Sequence, residues 1–129
     1  MDHHPRFLAI VDAIRDRVDE VSPTEVQDLL RTGRAQVVDV REDREWAAGH
    51  VSGAVHLGKG VIERDIEVAV PDPATPLVLY CGGGYRSLLA ADALQRMGYT
   101  KVRSMAGGWR GWSAIGGAVT TGDTSPGTE

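Results

Sequence analysis

The junction at Cys81 constrains this chain most. Leu77-Val78-Leu79-Tyr80 is a run of strand formers, Cys81-Gly82-Gly83-Gly84-Tyr85-Arg86-Ser87 follows, and Leu88 to Met97 has helical spacing. A strand that turns abruptly into a helix leaves the first helical N–H groups without intrahelical partners and facing any anion ahead of them. Glycines allow positive φ angles, so the loop N–H groups can converge on one centre. Cys81, the only cysteine of the chain, stands at the base of that cradle, poised to be a thiolate. A packed, inert cysteine at a strand end is the simpler alternative. The attached glycines, Arg86 and the helix start weigh against it.

The rest of the chain supplies the frame. Phe7, Leu8, Ile10, Val11, Ile14 and Val18 recur at helical spacing, which predicts an amphipathic helix that packs on the domain or meets a partner. Ser22-Pro23-Thr24-Glu25 reads as a capping box with proline at the first helical position, Val21 and Val26 as a staple, and Gly33 as the stop. Strands are predicted at Ala35–Val40, Ala54–Leu57, Leu77–Tyr80 and Lys101–Met105. Helices are predicted at Arg41–Ala48, Val61–Val68, Leu88–Met97 and from Gly107 onward. This alternation specifies an α/β domain with a mainly parallel sheet, whose ligand sites lie beyond the carboxyl ends of the strands. Cys81 falls there, with Asp39 expected close by.

The chain has 129 residues, with 14 basic and 18 acidic side chains and a net charge of −4, which argues against non-specific nucleic-acid binding. No apolar run approaches a membrane span, the start lacks a secretory pattern, and one cysteine cannot form an internal disulfide. A cytoplasmic location is the expectation. His3 and His4 read as solvated residues, and His50, His56 and Cys81 lack the spacing of metal ligands. The expected organisation is an N-terminal extension over residues 1–20, one domain over 21–116 and a disordered tail over 117–129.

Three blocks together carry a family resemblance. They are Asp39-Val40-Arg41-Glu42 with Glu45, Trp46 and Gly49-His50-Val51-Ser52-Gly53-Ala54, then the Cys81–Ser87 loop, then Met105-Ala106-Gly107-Gly108-Trp109-Arg110-Gly111-Trp112. From about Val21 to Trp112 the chain resembles the single-domain rhodaneses, a family of sulfurtransferases. The resemblance implies a rhodanese-like α/β fold, a mainly parallel five-stranded sheet flanked by helices on both faces. It also implies that Cys81 takes a sulfane sulfur from thiosulfate or a persulfide donor and passes it to cyanide, a thiol or a protein acceptor. No metal or organic cofactor is implied.

By the same resemblance Gly82, Gly83, Gly84, Tyr85, Arg86 and Ser87 form the active-site loop. Asp39 and Arg41 read as structural residues behind the loop, with Asp39 accepting N–H bonds or pairing with Arg86, against a simple strand-end salt bridge. Arg64 is a candidate for the site mouth, against a solvated helix face for Glu63 and Arg64. His50 reads as a turn residue rather than a general base, His56 as a packed one, and Trp109 and Trp112 as core or pocket wall. Related phosphatases and arsenate reductases resemble a C-x5-R loop, whereas Cys81 to Arg86 is C-x4-R, a narrower cradle suited to one sulfur atom. A sulfur-relay or binding module serving a protein partner is the other alternative. The glycine-rich loop has Arg86 as its only cation, which leaves persulfides as fitting as thiosulfate.

Overall fold

Local signals decide where the chain turns from helix to strand and back. The computed structural model describes residues 3–122. Helix α1 (Pro5–Arg15) has proline at its start and leads into the short strand β1 (Asp19–Val21). Helix α2 (Pro23–Arg31) opens with the predicted capping box: Glu25 N donates to Ser22 Oγ at 3.1 Å, and Ser22 N donates to Glu25 Oε1 at 3.1 Å. Next come β2 (Gln36–Asp39), α3 (Asp43–Ala48), β3 (His50–Val51), β4 (Val55–His56) and α4 (Ile62–Ala69). Strand β5 (Leu77–Tyr80) feeds the Cys81 loop and α5 (Arg86–Arg96). The chain continues through β6 (Val102–Met105), α6 (Gly108–Ala114) and β7 (Val119–Thr120).

Five strands form one parallel sheet in the order β1-β6-β5-β2-β4, while β3 and β7 make a separate antiparallel pair. Side chains of β5 alternate between two cores, as strand geometry requires. Leu77 and Leu79 join Val11, Ile14, Ile62, Ile66, Leu88 and Leu94, from α1, α4 and α5, on one face. Val78 and Tyr80 join Val26, Trp46 and Trp112, from α2, α3 and α6, on the other. Helices therefore cover both faces, the arrangement a buried parallel sheet needs. Asp39 is in register with Tyr80, and Val40 N donates to Tyr80 O at 3.0 Å, so the carboxyl ends of β2 and β5 come out side by side.

Two expected boundaries need correction. The helical pattern does not run to Val18: α1 ends at Arg15, and Asp19–Val21 pairs with β6 as the edge strand, so the sheet already includes residues assigned to the 1–20 extension. The 117–129 tail does not begin at 117, because Val119–Thr120 pairs with His50–Val51. Strands of two or three residues are too short to show a periodicity, and pairing alone creates them. Residues 123–129, the remainder of that expected tail, lie outside the described residues.

Candidate active site

Cys81 leaves β5 with its thiol pointing into its own loop. Gly84 N lies 3.1 Å from Cys81 Sγ, Ser87 N 3.4 Å and Ser87 Oγ 3.5 Å. Ser87 N belongs to the first turn of α5, so the open end of an eleven-residue helix faces the sulfur. Ser87 Oγ is itself bonded to Ser104 Oγ of β6 at 2.8 Å, which orients the hydroxyl from the neighbouring strand. The thiol is 1 % exposed and forms the floor of a cavity of about 480 Å³.

The loop keeps this shape because α6 grips it from outside. Trp109 N donates to Cys81 O at 2.7 Å and Arg110 N to Gly82 O at 3.2 Å. With the Cys81 and Gly82 carbonyls turned toward α6, the loop directs Gly84 N toward the sulfur. The close approach depends on two glycines with positive φ. Gly84 has φ +105°, and a Cβ there would lie 3.3 Å from Gly107 N. Gly108 has φ +52°, and a Cβ there would overlap the Cys81 carbonyl oxygen.

Behind the loop stands a buried charged strut. Arg41 donates from Nε to both Asp39 oxygens at 3.1 Å, from Nη2 to Oδ2 at 2.8 Å, and onward to Gly49 O at 2.6 Å. Tyr80, the residue before Cys81, donates its hydroxyl to Asp39 Oδ2 at 2.6 Å and accepts from Val51 N at 3.0 Å. The Arg41 guanidinium also lies 4.6 Å from the Trp109 ring centroid. Burial, the largest influence, lowers the Arg41 pKa, but the hydrogen bond and charge of Asp39 together outweigh it and hold it above its ordinary value. Burial, followed by the Asp39 charge, pushes the Tyr80 phenol far up, so it remains a neutral donor.

Of the alternatives for Asp39, the structure shows an N–H bond, from Arg41 N at 2.8 Å, and a salt bridge, and it excludes the pairing with Arg86. Asp39 pairs with Arg41, whereas Arg86 Nη1 faces Glu45 Oε1 at 3.6 Å. Burial pushes the Glu45 carboxyl up, but the Glu42 N–H and the Arg86 charge more than offset this and hold it below its ordinary value. Arg64 does not reach the cavity: it is exposed on α4 and bonded to Asp65 at 2.7 Å. His50 is stacked on Trp46 with centroids 3.4 Å apart and donates from Nδ1 to Trp46 O, and His56 Nε2 donates to Arg41 O at 2.8 Å. Trp112 is core, and Trp109 braces Arg41 rather than lining the cavity.

Of the loop residues singled out in the sequence, Cys81, Gly82, Gly83, Tyr85 and Arg86 line the cavity, while Gly84 and Ser87 contact the thiol. Four lining residues were not foreseen. Glu45 and Arg110 lie in blocks already singled out, but no spacing rule aims them at Cys81. His3 and Phe7 arrive from α1 and the residues before it. His3 is half-buried against Tyr85 with ring centroids 4.4 Å apart, not solvated as expected. Arg86 is still the only cation of the loop, yet Arg110 gives the cavity a second one.

A parallel α/β domain with its single thiol at the carboxyl edge of the sheet, faced by Gly84 N, Ser87 N and Ser87 Oγ, defines a class of thiol-centred enzymes. Comparison with known proteins narrows that class. Residues 22–115 match the model of the rhodanese-like domain, and the chain belongs to that family. It is 35 % identical over 106 residues to thiosulfate sulfurtransferase GlpE of Pseudomonas aeruginosa, covering 82 % of this chain and 94 % of that protein. It is 34 % identical to human thiosulfate:glutathione sulfurtransferase, covering 71 % and 90 %. Among solved structures, a protein of unknown function from Rhodopseudomonas palustris, described as a possible tyrosine phosphatase, superposes with a TM-score of 0.80. That match has 28 % identity and covers 93 % of this chain and 98 % of the other. The loop distinguishes the two chemistries here, since Cys81 and Arg86 are separated by one residue fewer than a C-x5-R phosphatase loop has.

Proposed function

We propose that this sulfurtransferase moves a sulfane sulfur from thiosulfate or a persulfide to a thiol, cyanide or protein acceptor through a persulfide on Cys81. The observation that carries the reading is the Cys81 sulfur itself, faced by Gly84 N, Ser87 N and Ser87 Oγ at the floor of a cavity lined by Arg86 and Arg110. The Cys81 thiolate attacks the outer sulfur of the donor. The bond from that sulfur to the rest of the donor breaks, and its electron pair leaves with sulfite when the donor is thiosulfate. The terminal sulfur of the new persulfide takes up the negative charge beside the loop donors, which are already oriented and need no rearrangement. The acceptor then attacks that terminal sulfur, and the electron pair of the cleaved bond returns to Cys81 Sγ.

Arg110 strengthens the case for an anionic donor, because a second cation offsets the absence of charge in the Gly82-Gly83-Gly84 run. Among the described residues no helix is long and apolar enough to cross a membrane. A free thiol that must stay reduced to react fits a reducing, cytoplasmic setting. Incubation with thiosulfate should add one sulfur to Cys81, about 32 Da, as a covalent intermediate requires. Cyanide should then release thiocyanate, and Cys81→Ser should abolish both steps. A Cys81 left unmodified by thiosulfate and by organic sulfane donors would overturn the proposal.

A further inference from the structure

The family match begins at residue 22, yet two cavity residues come from the segment before it. That segment is tied down. Val11 and Ile14 are buried in the core shared with α5, and Arg17 Nε lies 2.7 Å from Asp92 Oδ1 of α5. Anchored there, α1 presents its first turn to the loop. Phe7 lies 6.0 Å from the Tyr85 ring, His3 4.4 Å from the same ring and 5.1 Å from Phe7, all between centroids. The Arg15 guanidinium also lies 5.5 Å from the Tyr85 centroid. Tyr85 is a residue of the loop itself, so the segment before the family domain shapes the cavity over Cys81.

The lining therefore has two characters. Arg86, Glu45 and Arg110 are charged, whereas His3, Phe7 and Tyr85 form a continuous aromatic surface. At about 30 Å³ per water-sized group, the five heavy atoms of thiosulfate occupy about 150 Å³. The cavity is about 480 Å³, so an inorganic donor fills about a third of it. We infer that the His3–Phe7–Tyr85 surface is a subsite for the organic body of the sulfur donor, making this enzyme selective for anionic sulfane donors with a large apolar body over those with a small one. The inference rests on the sulfurtransferase reading and deepens it by naming the substrate class. The reacting end is unchanged. With an organic thiosulfonate, the Cys81 thiolate attacks the outer sulfur, the sulfur–sulfur bond breaks, and a sulfinate leaves with the electron pair.

Methanethiosulfonate and benzenethiosulfonate carry the same charge and release the same kind of leaving group, and they differ in the body presented to the aromatic surface. The full chain should use benzenethiosulfonate with a kcat/KM at least about tenfold higher, the scale on which apolar pockets discriminate. Phe7→Ala should reduce that ratio about tenfold, mainly through KM, whatever loss the two donors share. Arg110→Ala should lower kcat/KM for both donors in the same proportion. If Phe7→Ala lowers the melting temperature, Phe7→Leu, which keeps apolar volume under α1, carries the same test. A ratio within about twofold of wild type in the Phe7 variants, or no preference in the wild type, would overturn the subsite, since such a change is below one apolar group's discrimination. Sulfur loading of Cys81 by thiosulfate, measured in every variant, separates that result from a failure of the sulfurtransferase reading.

Discussion

Asp39 accepts from Arg41 and from Tyr80, and those donors reach on to Gly49 and Val51. One carboxylate thus ties the end of β2 to the residue before Cys81 and to the β3 segment. Both charges are buried, with side chains 4 % and 0 % exposed for Arg41 and Asp39. Removing one partner strands the other in the interior, so Arg41→Ala should destabilise the protein by about 3–5 kcal/mol in chemical denaturation. Arg41→Lys should recover only part of this, because an ammonium cannot reproduce the planar fork. At Gly108 the loop meets α6 too closely for any side chain. Gly108→Ala should add about 1–3 kcal/mol of backbone strain, with the overlap on the Cys81 carbonyl in addition. The variant should show a lower melting temperature together with slower sulfur loading, because the displaced carbonyl belongs to Cys81, the proposed nucleophile.

At the scale of elements, the amino end of α5 serves the thiol and its body anchors α1. Asp92 accepts from Arg17 Nε at 2.7 Å and from Arg96 Nη2 at 2.8 Å, joining the link after α1 to the outer half of α5. The hydrogen bond from Arg17 is the main reason the Asp92 carboxyl is held below its ordinary value, with the charges of Arg17 and Arg96 adding to it against burial. A depressed folded-state pKa contributes stability that is present above the unfolded value of about 3.9 and is lost as pH falls through the lower folded value. Asp92→Asn should therefore melt below the wild type at pH 7. The gap should close in acid, below the ordinary carboxylate range. A gap independent of pH would mean that packing, not the ion pairs, sets it.

For the whole molecule, the sheet carries the thiol and α1 closes over it. Ile14 is 3 % exposed in the core that holds α1, so Ile14→Ala should cost about 2–5 kcal/mol and loosen the helix. If α1 forms the aromatic subsite, the same variant should lose preference for benzenethiosulfonate before it loses the capacity to load sulfur, as read from paired kinetics and mass spectra. Much of this architecture was legible in the chain. The capping box at Ser22, the β-branched run at Val37 and Val38, and the glycines beside Cys81 are local signals, because caps, pleats and positive φ angles are properties of a few neighbouring residues. The site was legible as far as the loop extends. The partner of Asp39, the remoteness of Arg64 and the edge pairings of β1 and β7 were not, since each depends on which distant segment comes alongside. By itself the sequence determined a strand–thiol–helix junction in a parallel α/β frame. Only the tertiary structure decided what lines the cavity over the sulfur, because Phe7, Glu45 and Arg110 come to share it with Cys81 through packing across the chain, and no spacing along it records that encounter.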